Sequence, residues 1–382
     1  MTQTLRIKRI DAFSLRSPID RPVATSFGTL RDRPAVFLRI EDADGAFGWG
    51  EVFANWPSAA AEHRVNLLAR DIGPLAFELA LNHPSELYPA LEQQTRIVAL
   101  QSGEWGPFRQ VIAGLDIALW DLFARKSDLT LRHYINHSAV DSVPAYASGI
   151  HIDQAQSLVD EARKIGFRDF KLKVGFSMQR DLAQLRQVLD DCVSGESFAV
   201  DANQAWNTES ATIFMSGSSS MPLSWLEEPI PANAPQSDWQ LLSQTCSYPL
   251  AGGENLVGHE EYDQAIAARY LSVVQPDIIK WGGITGCLEV GMKLRNAGLR
   301  YCPHFLGGGI GLQASANLLA AVGGDGLLEV DVNPNPLRDS FGTVSSRLAA
   351  SCWQCNTESG LGITGLPEEI ASLETHAIVL TP

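Results

Sequence analysis

Phe198-Ala-Val-Asp-Ala-Asn-Gln204 opens as an apolar run and ends in Asp201, Asn203 and Gln204. Side chains two apart on a strand point the same way, so Asp201 and Asn203 share a face behind a buried lead-in. A single aspartate after a strand is also a common helix cap, so its companions must decide the reading. Upstream stands Phe170-Lys-Leu-Lys-Val-Gly175. Downstream come Leu223-Ser-Trp-Leu-Glu-Glu228, Leu250-Ala-Gly-Gly-Glu254, Ser272-Val-Val-Gln-Pro-Asp277, Arg300-Tyr-Cys-Pro-His304 and Gly326-Leu-Leu-Glu329. From Lys173 to Glu329 the ionisable ends recur every 23 to 28 residues, the length of one strand, one helix and two loops. With Val143-Pro-Ala-Tyr-Ala-Ser148 one step earlier, the count is eight. Eight consecutive strand–helix units predict an α/β fold, a modified (β/α)8 barrel with its active site at the C-terminal strand ends.

The 382 residues leave room for a second unit. Residues 4–16, 34–42 and Phe47-Gly-Trp-Gly-Glu-Val52 read as three antiparallel strands, and residues 59–80 and 107–126 carry helical spacing. This predicts an α+β cap over residues 1–134, completed by a C-terminal tail over 350–382 that folds back on it, and a barrel over 135–349. Val330-Asp-Val-Asn-Pro-Asn-Pro-Leu-Arg338 is too rich in proline to continue as a helix. Ala24-Thr-Ser-Phe-Gly28 reads as a small polar loop, able to act as a lid. Phe305-Leu-Gly-Gly-Gly-Ile-Gly311 lacks the Lys-Ser/Thr of a phosphate loop, so it reads as backbone passing close to substrate.

A net charge of −15 argues against nucleic acid or an anionic membrane as partner. It also means that an anionic substrate needs local positive charge. No signal core or membrane-length apolar run is present, and the six cysteines are scattered. The expected setting is therefore the cytoplasm, with reduced thiols. Cys352-Trp-Gln-Cys355 has no second pair and is an incomplete zinc site.

Asp201, Glu227 and Glu254 end three successive strands. Neighbouring strands lie about 4.8 Å apart, so the three carboxylates can converge, and a hard divalent cation would resolve their repulsion. All-oxygen ligation suits Mg²⁺. Lys171 and Lys173 share a strand face, where mutual repulsion would lower one pKa toward that of a base. Asp277 and His304 end adjacent strands and form a carboxylate–imidazole pair. Glu329, if protonated, could donate to an oxyanion. A metal flanked by two bases suits proton removal next to a carboxylate.

Together these residues resemble the enolase superfamily, and within it the mandelate racemase group. The matching motifs are Lys171-Leu-Lys173, Asp201-Ala-Asn203, Leu226-Glu-Glu-Pro229, Gly253-Glu-Asn255, Pro276-Asp-Ile-Ile-Lys280 with Gly282-Gly283, and Pro303-His304. Asp44-Gly-x-x-Gly-Trp-Gly-Glu51 and Gly114-Leu-Asp-Ile-Ala-Leu-Trp-Asp121 match in the cap. The resemblance implies one Mg²⁺ per chain on Asp201, Glu227 and Glu254. Lys173 would be one base and the Asp277–His304 dyad the other, with Lys171 and Glu329 stabilising the enolate. Glu228 and Lys280 would support the ligands from behind. Specificity would rest on cap loops near Thr25, Phe27 and Trp56, with Asn203 also on the substrate. Asp277 stands where the muconate-cycloisomerase-like group carries a base lysine, which argues against that group. The expectation is a small carboxylate substrate and a homo-oligomeric enzyme. An acid-sugar dehydratase is favoured by Asn333-Pro-Asn-Pro-Leu-Arg338, with a racemase, a lactone cycloisomerase or a catalytically silent paralogue as alternatives.

Overall fold

The computed structural model describes residues 4–382. The eight barrel strands are Ser142–His151, Asp169–Lys173, Ser197–Asp201, Leu223–Glu227, Leu250–Gly252, Val273–Val274, Arg300–Tyr301 and Leu328–Asp331. Each of the first six pairs in parallel with the next, and the eighth returns to the first in the register Leu328↔Ala145, while the seventh and eighth share no strand ladder among the described residues. At the seam between the seventh and eighth strands, the Leu327 N–H donates to Cys302 Sγ at 3.4 Å. One helix follows each of the first seven strands. The first of them, Ala155–Ile165, buries Ala155, Leu158, Val159 and Ala162, a helical stripe facing the sheet. It stops at Gly166, whose φ of +119° suits a residue without Cβ. After the eighth strand the prolines allow only the short turn Pro336–Asp339.

Several strands are shorter than the sequence suggests. Lys173, Asp201 and Glu227 end theirs, but Glu254, Asp277 and His304 lie two or three residues beyond the last paired position. Pro276 and Pro303 carry no N–H and stop the ladder just before Asp277 and His304. The barrel interior is plugged at its lower level by Tyr146, Ala199, Trp225, Ala251, Val273, Cys302 and Leu327. Lys171, in register with Ala199, is the one polar member of that level, and the interior becomes ionic above it.

The cap sheet holds four strands rather than three, with Glu374–Leu380 beside Ile7–Thr25, then Gly28–Asp42 and Phe47–Val52, all antiparallel. The tail therefore does return to the cap, there and again around residues 360–363, where Leu361 N donates to Asp121 Oδ1 and Ile363 O accepts from Arg125 Nη2. Its earlier part, Cys352–Gln354, pairs with the first barrel strand. The predicted loop at residues 24–28 is instead the tip of a long hairpin, with Thr25 paired to Gly28. Helical spacing over 59–80 resolves into Ala60–Leu67, a wide π turn at Leu68–Ile72, and Gly73–Glu78; a further helix spans Leu87–Ser102. Helix Trp105–Lys126 packs on strand Phe47–Val52 so closely that a Cβ on Gly48 or Gly50 would lie 2.1 Å from Ala118 O or Gly114 O. This accounts for Gly48 and Gly50 of the cap motif, while Gly45 serves the turn with a φ of +82°.

Four contacts seat the cap over the barrel mouth. Buried Arg33 pairs with Asp331, and its Nε donates to Pro334 O at 3.1 Å. Asp116 accepts from Thr285 N at 3.0 Å and Thr285 Oγ1 at 2.6 Å. Phe53 N donates to Ile279 O. Glu51 accepts from the N–H groups of Gly308 and Gly311. Helix Gly309–Val322 begins after Gly308, which has no side chain to cap it, so Glu51 caps it from the other domain. The glycine run is thus a correction to the sequence reading. A Cβ at Gly307 would meet Glu51 at 2.7 Å, one at Gly308 Phe37 at 2.7 Å, and one at Gly309 Phe341 at 2.7 Å. The backbone passes close to protein there, not to substrate. Asn333, Asn335 and Arg338 also serve the fold, donating to Gly149 O, Gly307 O and Asp331 O respectively. No helix among the described residues is long and apolar enough to cross a membrane.

Candidate active site

The polar upper layer of the barrel forms one network. Lys171 is fully buried, with Nζ 2.7 Å from Glu227 Oε1 and 2.7 Å from Glu329 Oε1. Burial alone would lower its pKa, but Glu227 and Glu329 hold it well above the usual lysine value. Lys173 stands one pleat higher, 2.5 Å from Asp201 Oδ2, and despite burial Asp201 raises it too. The two lysines do share a face, but the expected mutual depression does not occur. Each is matched to a carboxylate, and the attraction outweighs the repulsion between them.

Glu329 is corrected in the same way. Burial would favour its protonated form, but Lys171, His304 and Lys173 together hold it down at about 2. It is an ionised, buried acceptor of Ser148 Oγ and the Phe305 N–H, not a donor.

His304 Nδ1 lies 2.6 Å from Asp277 Oδ2, as the neighbouring strand ends lead one to expect. Its Nε2 lies 2.5 Å from Glu254 Oε2, a contact the spacing does not reveal. Burial would lower this imidazole, but Glu254, Glu329 and the bond to Asp277 raise it well above its ordinary value. Glu254 also meets Lys280 Nζ at 3.3 Å, and Lys280 reaches Asn255 Oδ1 at 2.9 Å.

Asp201 and Glu227 are direct register partners, and Glu254 follows on the next strand. In this structure each faces a cation, and among the described residues no three acidic, histidine or cysteine side chains form a ready-made metal cluster. The charge count nevertheless fits a divalent ion. Six carboxylates (Asp201, Glu227, Glu228, Glu254, Asp277 and Glu329) face four cations (Lys171, Lys173, Lys280 and His304), leaving two negative charges. Correspondingly, burial pushes Glu227 up to about 7 and Glu228 up to about 8, with Asp201 adding to the first and Glu254 and Asp201 to the second. Two acids that keep protons near neutrality, among oxygen donors, suit a dication. Glu228 takes a hydrogen bond from Gln204 Nε2 at 3.0 Å and one from Asn255 Nδ2 at 2.8 Å.

Above this network lies a cavity of about 290 Å³, walled by Thr25, Phe27, Phe53, Asn55, Trp56, Gln110, Lys173, Asn203, Glu254, Asn255, Lys280, His304 and Leu306. It gathers every residue expected on the substrate: Thr25, Phe27, Trp56 and Asn203. Phe27, 61% exposed, leans on Trp56 with ring centres 5.6 Å apart. The two hydroxyls of the hairpin tip are already engaged, since Thr25 Oγ1 donates to Gly28 O at 3.0 Å and Ser26 Oγ to Asn203 O at 2.7 Å. Asn203 has a φ of +45°, and its side chain donates to Asp201 Oδ2 at 3.1 Å. Lys171, Asp201, Glu227 and Glu329 lie beneath the cavity rather than on its wall. Phe53, Asn55 and Gln110 had not been singled out. They are ordinary positions after a strand or within a helix, and only the seating of the cap brings them here.

Residues 153–369 match the family description "Enolase C-terminal domain-like", and residues 9–135 match "Mandelate racemase / muconate lactonizing enzyme, N-terminal domain". The chain is 26% identical to a D-galactarolactone cycloisomerase of Agrobacterium fabrum, over 88% of this chain and 90% of that one. It is 27% identical to an arabinonate dehydratase of Saccharolobus solfataricus, over 86% and 87%. A mandelate racemase/muconate lactonizing enzyme structure from Bordetella bronchiseptica superposes with a TM-score of 0.91 at 41% identity, covering 97% of this chain and 99% of that one. An L-talarate dehydratase of Polaromonas, solved with Mg and L-glucarate, superposes with a TM-score of 0.79 at 24% identity and 99% coverage of each chain. With both domain descriptions matched and the polar strand ends in place, the chain belongs to the mandelate racemase/muconate lactonizing enzyme family of the enolase superfamily.

Proposed function

We propose that this protein removes the proton α to a carboxylate, and that it dehydrates an acid sugar, an aldonate or aldarate, to a 2-keto-3-deoxy acid. One observation carries the reading: two groups able to move protons, Lys173 and His304, come from the second and seventh strands to the wall of one cavity. Relatives named for arabinonate dehydration and D-galactarolactone cycloisomerisation support an acid-sugar substrate. One Mg²⁺, held by Asp201, Glu227 and Glu254, would neutralise the substrate carboxylate and the negative charge that grows on it as the proton leaves.

The protein's own residues do the rest. Asp277, bonded to His304 Nδ1, fixes the ring so that Nε2 faces the cavity and is the atom that exchanges protons with substrate. Lys173 Nζ faces the same cavity, and it can accept a proton only when Asp201 no longer claims its charge. Lys171, locked between Glu227 and Glu329, keeps an ammonium under the site, which offsets part of the negative charge that an enediolate adds to the substrate carboxylate. Loss of the β-hydroxyl needs a proton donor, and His304 Nε2 is placed to supply it. If Lys173 takes the α-proton, departure is anti; if His304 both takes and gives, it is syn.

The test is a screen of acid sugars with Mg²⁺, reading keto acid as the semicarbazone and α-proton exchange in D₂O. Lys173→Ala and His304→Asn should each lose at least ~10²-fold in the step they serve. Inversion of configuration without keto acid would replace the dehydratase with a racemase, and lactone opening would replace it with a cycloisomerase. Exchange unaffected in both variants would refute the assignment of bases.

A further inference from the structure

Arg64 is a buried cation without a matching anion. It stands on helix Ala60–Leu67, is 3% exposed, and has no carboxylate oxygen within salt-bridge distance among the described residues. Its Nη1 makes no hydrogen bond. Its Nε and Nη2 both donate to Gln110 Oε1, at 3.0 and 2.7 Å. Burial pulls the guanidinium down to about 10, with Glu104 acting against it, so it remains charged at neutral pH.

This pairing decides the orientation of the Gln110 amide. A guanidinium can only donate, so the atom facing it must be the oxygen. A flip would set N–H against N–H. Gln110 Nε2 is therefore turned away from Arg64, and it donates to no protein acceptor among the described residues; it is not sealed off like Arg64 Nη1, so water or a ligand can reach it. Gln110 is also part of the wall of the 290 Å³ cavity, beside the aromatic rings of Phe27, Phe53 and Trp56. It belongs to the cap, whereas Lys173 and His304 belong to the barrel. Two unused donors at the cap side call for an acceptor on the part of the ligand far from the reacting carbon. The unneutralised guanidinium behind them makes that acceptor an anion in preference to a hydroxyl, because hydrogen bonds to charged acceptors are about twice as strong as neutral ones.

We propose that Gln110, oriented by Arg64, receives a second carboxylate at the far end of the substrate, so that the site selects dicarboxylic over monocarboxylic acid sugars. The proposal rests on reading the cavity as an acid-sugar site, and the test separates the two ideas. Adipate and 6-hydroxyhexanoate differ only in whether the far end is a carboxylate or a hydroxymethyl group, and neither has a β-hydroxyl to lose. Titration calorimetry in Mg²⁺ should show adipate bound at least ~10-fold more tightly, a loss or gain typical of one charged hydrogen-bond partner. Gln110→Glu keeps an acceptor for Arg64 but replaces the donors with an anion, and should erase the preference. Arg64→Met frees the amide to rotate and removes the positive field, and should reduce the preference at least ~3-fold. Equal binding of the two acids to the unaltered protein, no binding of either, or a preference unchanged in Gln110→Glu would overturn the proposal. If adipate preference holds but no acid sugar is dehydrated, the dehydratase reading falls and this one stands. If dehydration occurs without the preference, this one alone falls.

Discussion

Replacing Glu51 by glutamine asks which of two opposed effects governs a buried carboxylate. Glu51 is 1% exposed and accepts from Gly308 N and Gly311 N at the start of helix Gly309–Val322. Burial disfavours its charge, while the two N–H groups and the helix N-terminus favour it. Burial wins: the carboxyl is pushed up from 4.5 to about 7, with Asp277 adding repulsion. A carboxyl raised on folding contributes stability that is fully present below its unfolded pKa and lost as pH rises through the folded value. At 1.36 kcal/mol per pKa unit the loss between pH 4.5 and pH 7 is about 3 kcal/mol. Glutamine does not titrate, but its NH₂ must face one of the two N–H groups, which costs roughly 1–3 kcal/mol.

The unaltered protein should therefore be the more stable at pH 5, and the gap should shrink by about 3 kcal/mol by pH 8.5. With roughly 2.1 cal/mol/K of unfolding entropy per residue, 3 kcal/mol is ~4 °C in a chain of 382 residues. Thermal unfolding of both proteins at the two pH values, at fixed ionic strength and without metal, measures this. The comparison cancels other titrating groups, such as buried Asp116, which is likewise pushed up to about 7. A gap that widens in favour of the unaltered protein as pH rises would show that the helix N-terminus outweighs desolvation.

Other outcomes follow from the same structure. Mg²⁺ at a hundred times its dissociation constant should stabilise the protein by about 2.7 kcal/mol, a shift of ~3 °C in melting temperature reversed by EDTA; Glu227→Gln should abolish that shift. Arg33→Met strips buried Asp331 of its partner and should cost about 3 kcal/mol or more in urea unfolding. Arg338, 3.9 Å from the same carboxylate, should keep the cost at the low end. Gly50→Ala would force a Cβ to within 2.1 Å of Gly114 O, and should destabilise the cap by ~1–3 kcal/mol, read as a lowered melting temperature.

What the sequence by itself determined was periodic or chemically crowded. Strand–helix units of 23 to 28 residues set the barrel, because each unit must bury an apolar strand and one helix stripe before the chain can return. The ionisable strand ends were legible because charges after apolar runs have few other places to go. Their partnerships were not legible. Whether Lys171 faces Lys173 or Glu227 depends on how the strands close, and closure turned a lysine pair expected to hold one base into two paired cations, and Glu329 into an ionised acceptor. The glycine run after His304 looked open to substrate because sequence shows flexibility and not what fills the space beside it. Tertiary structure filled that space with Glu51 and Phe37 of the cap. The far wall of the cavity, Phe53, Asn55 and Gln110, was decided only by docking one domain on the other through Arg33, Asp116 and Glu51. Such contacts join residues some 170 to 300 positions apart, and no local pattern of spacing or propensity encodes which of them will meet.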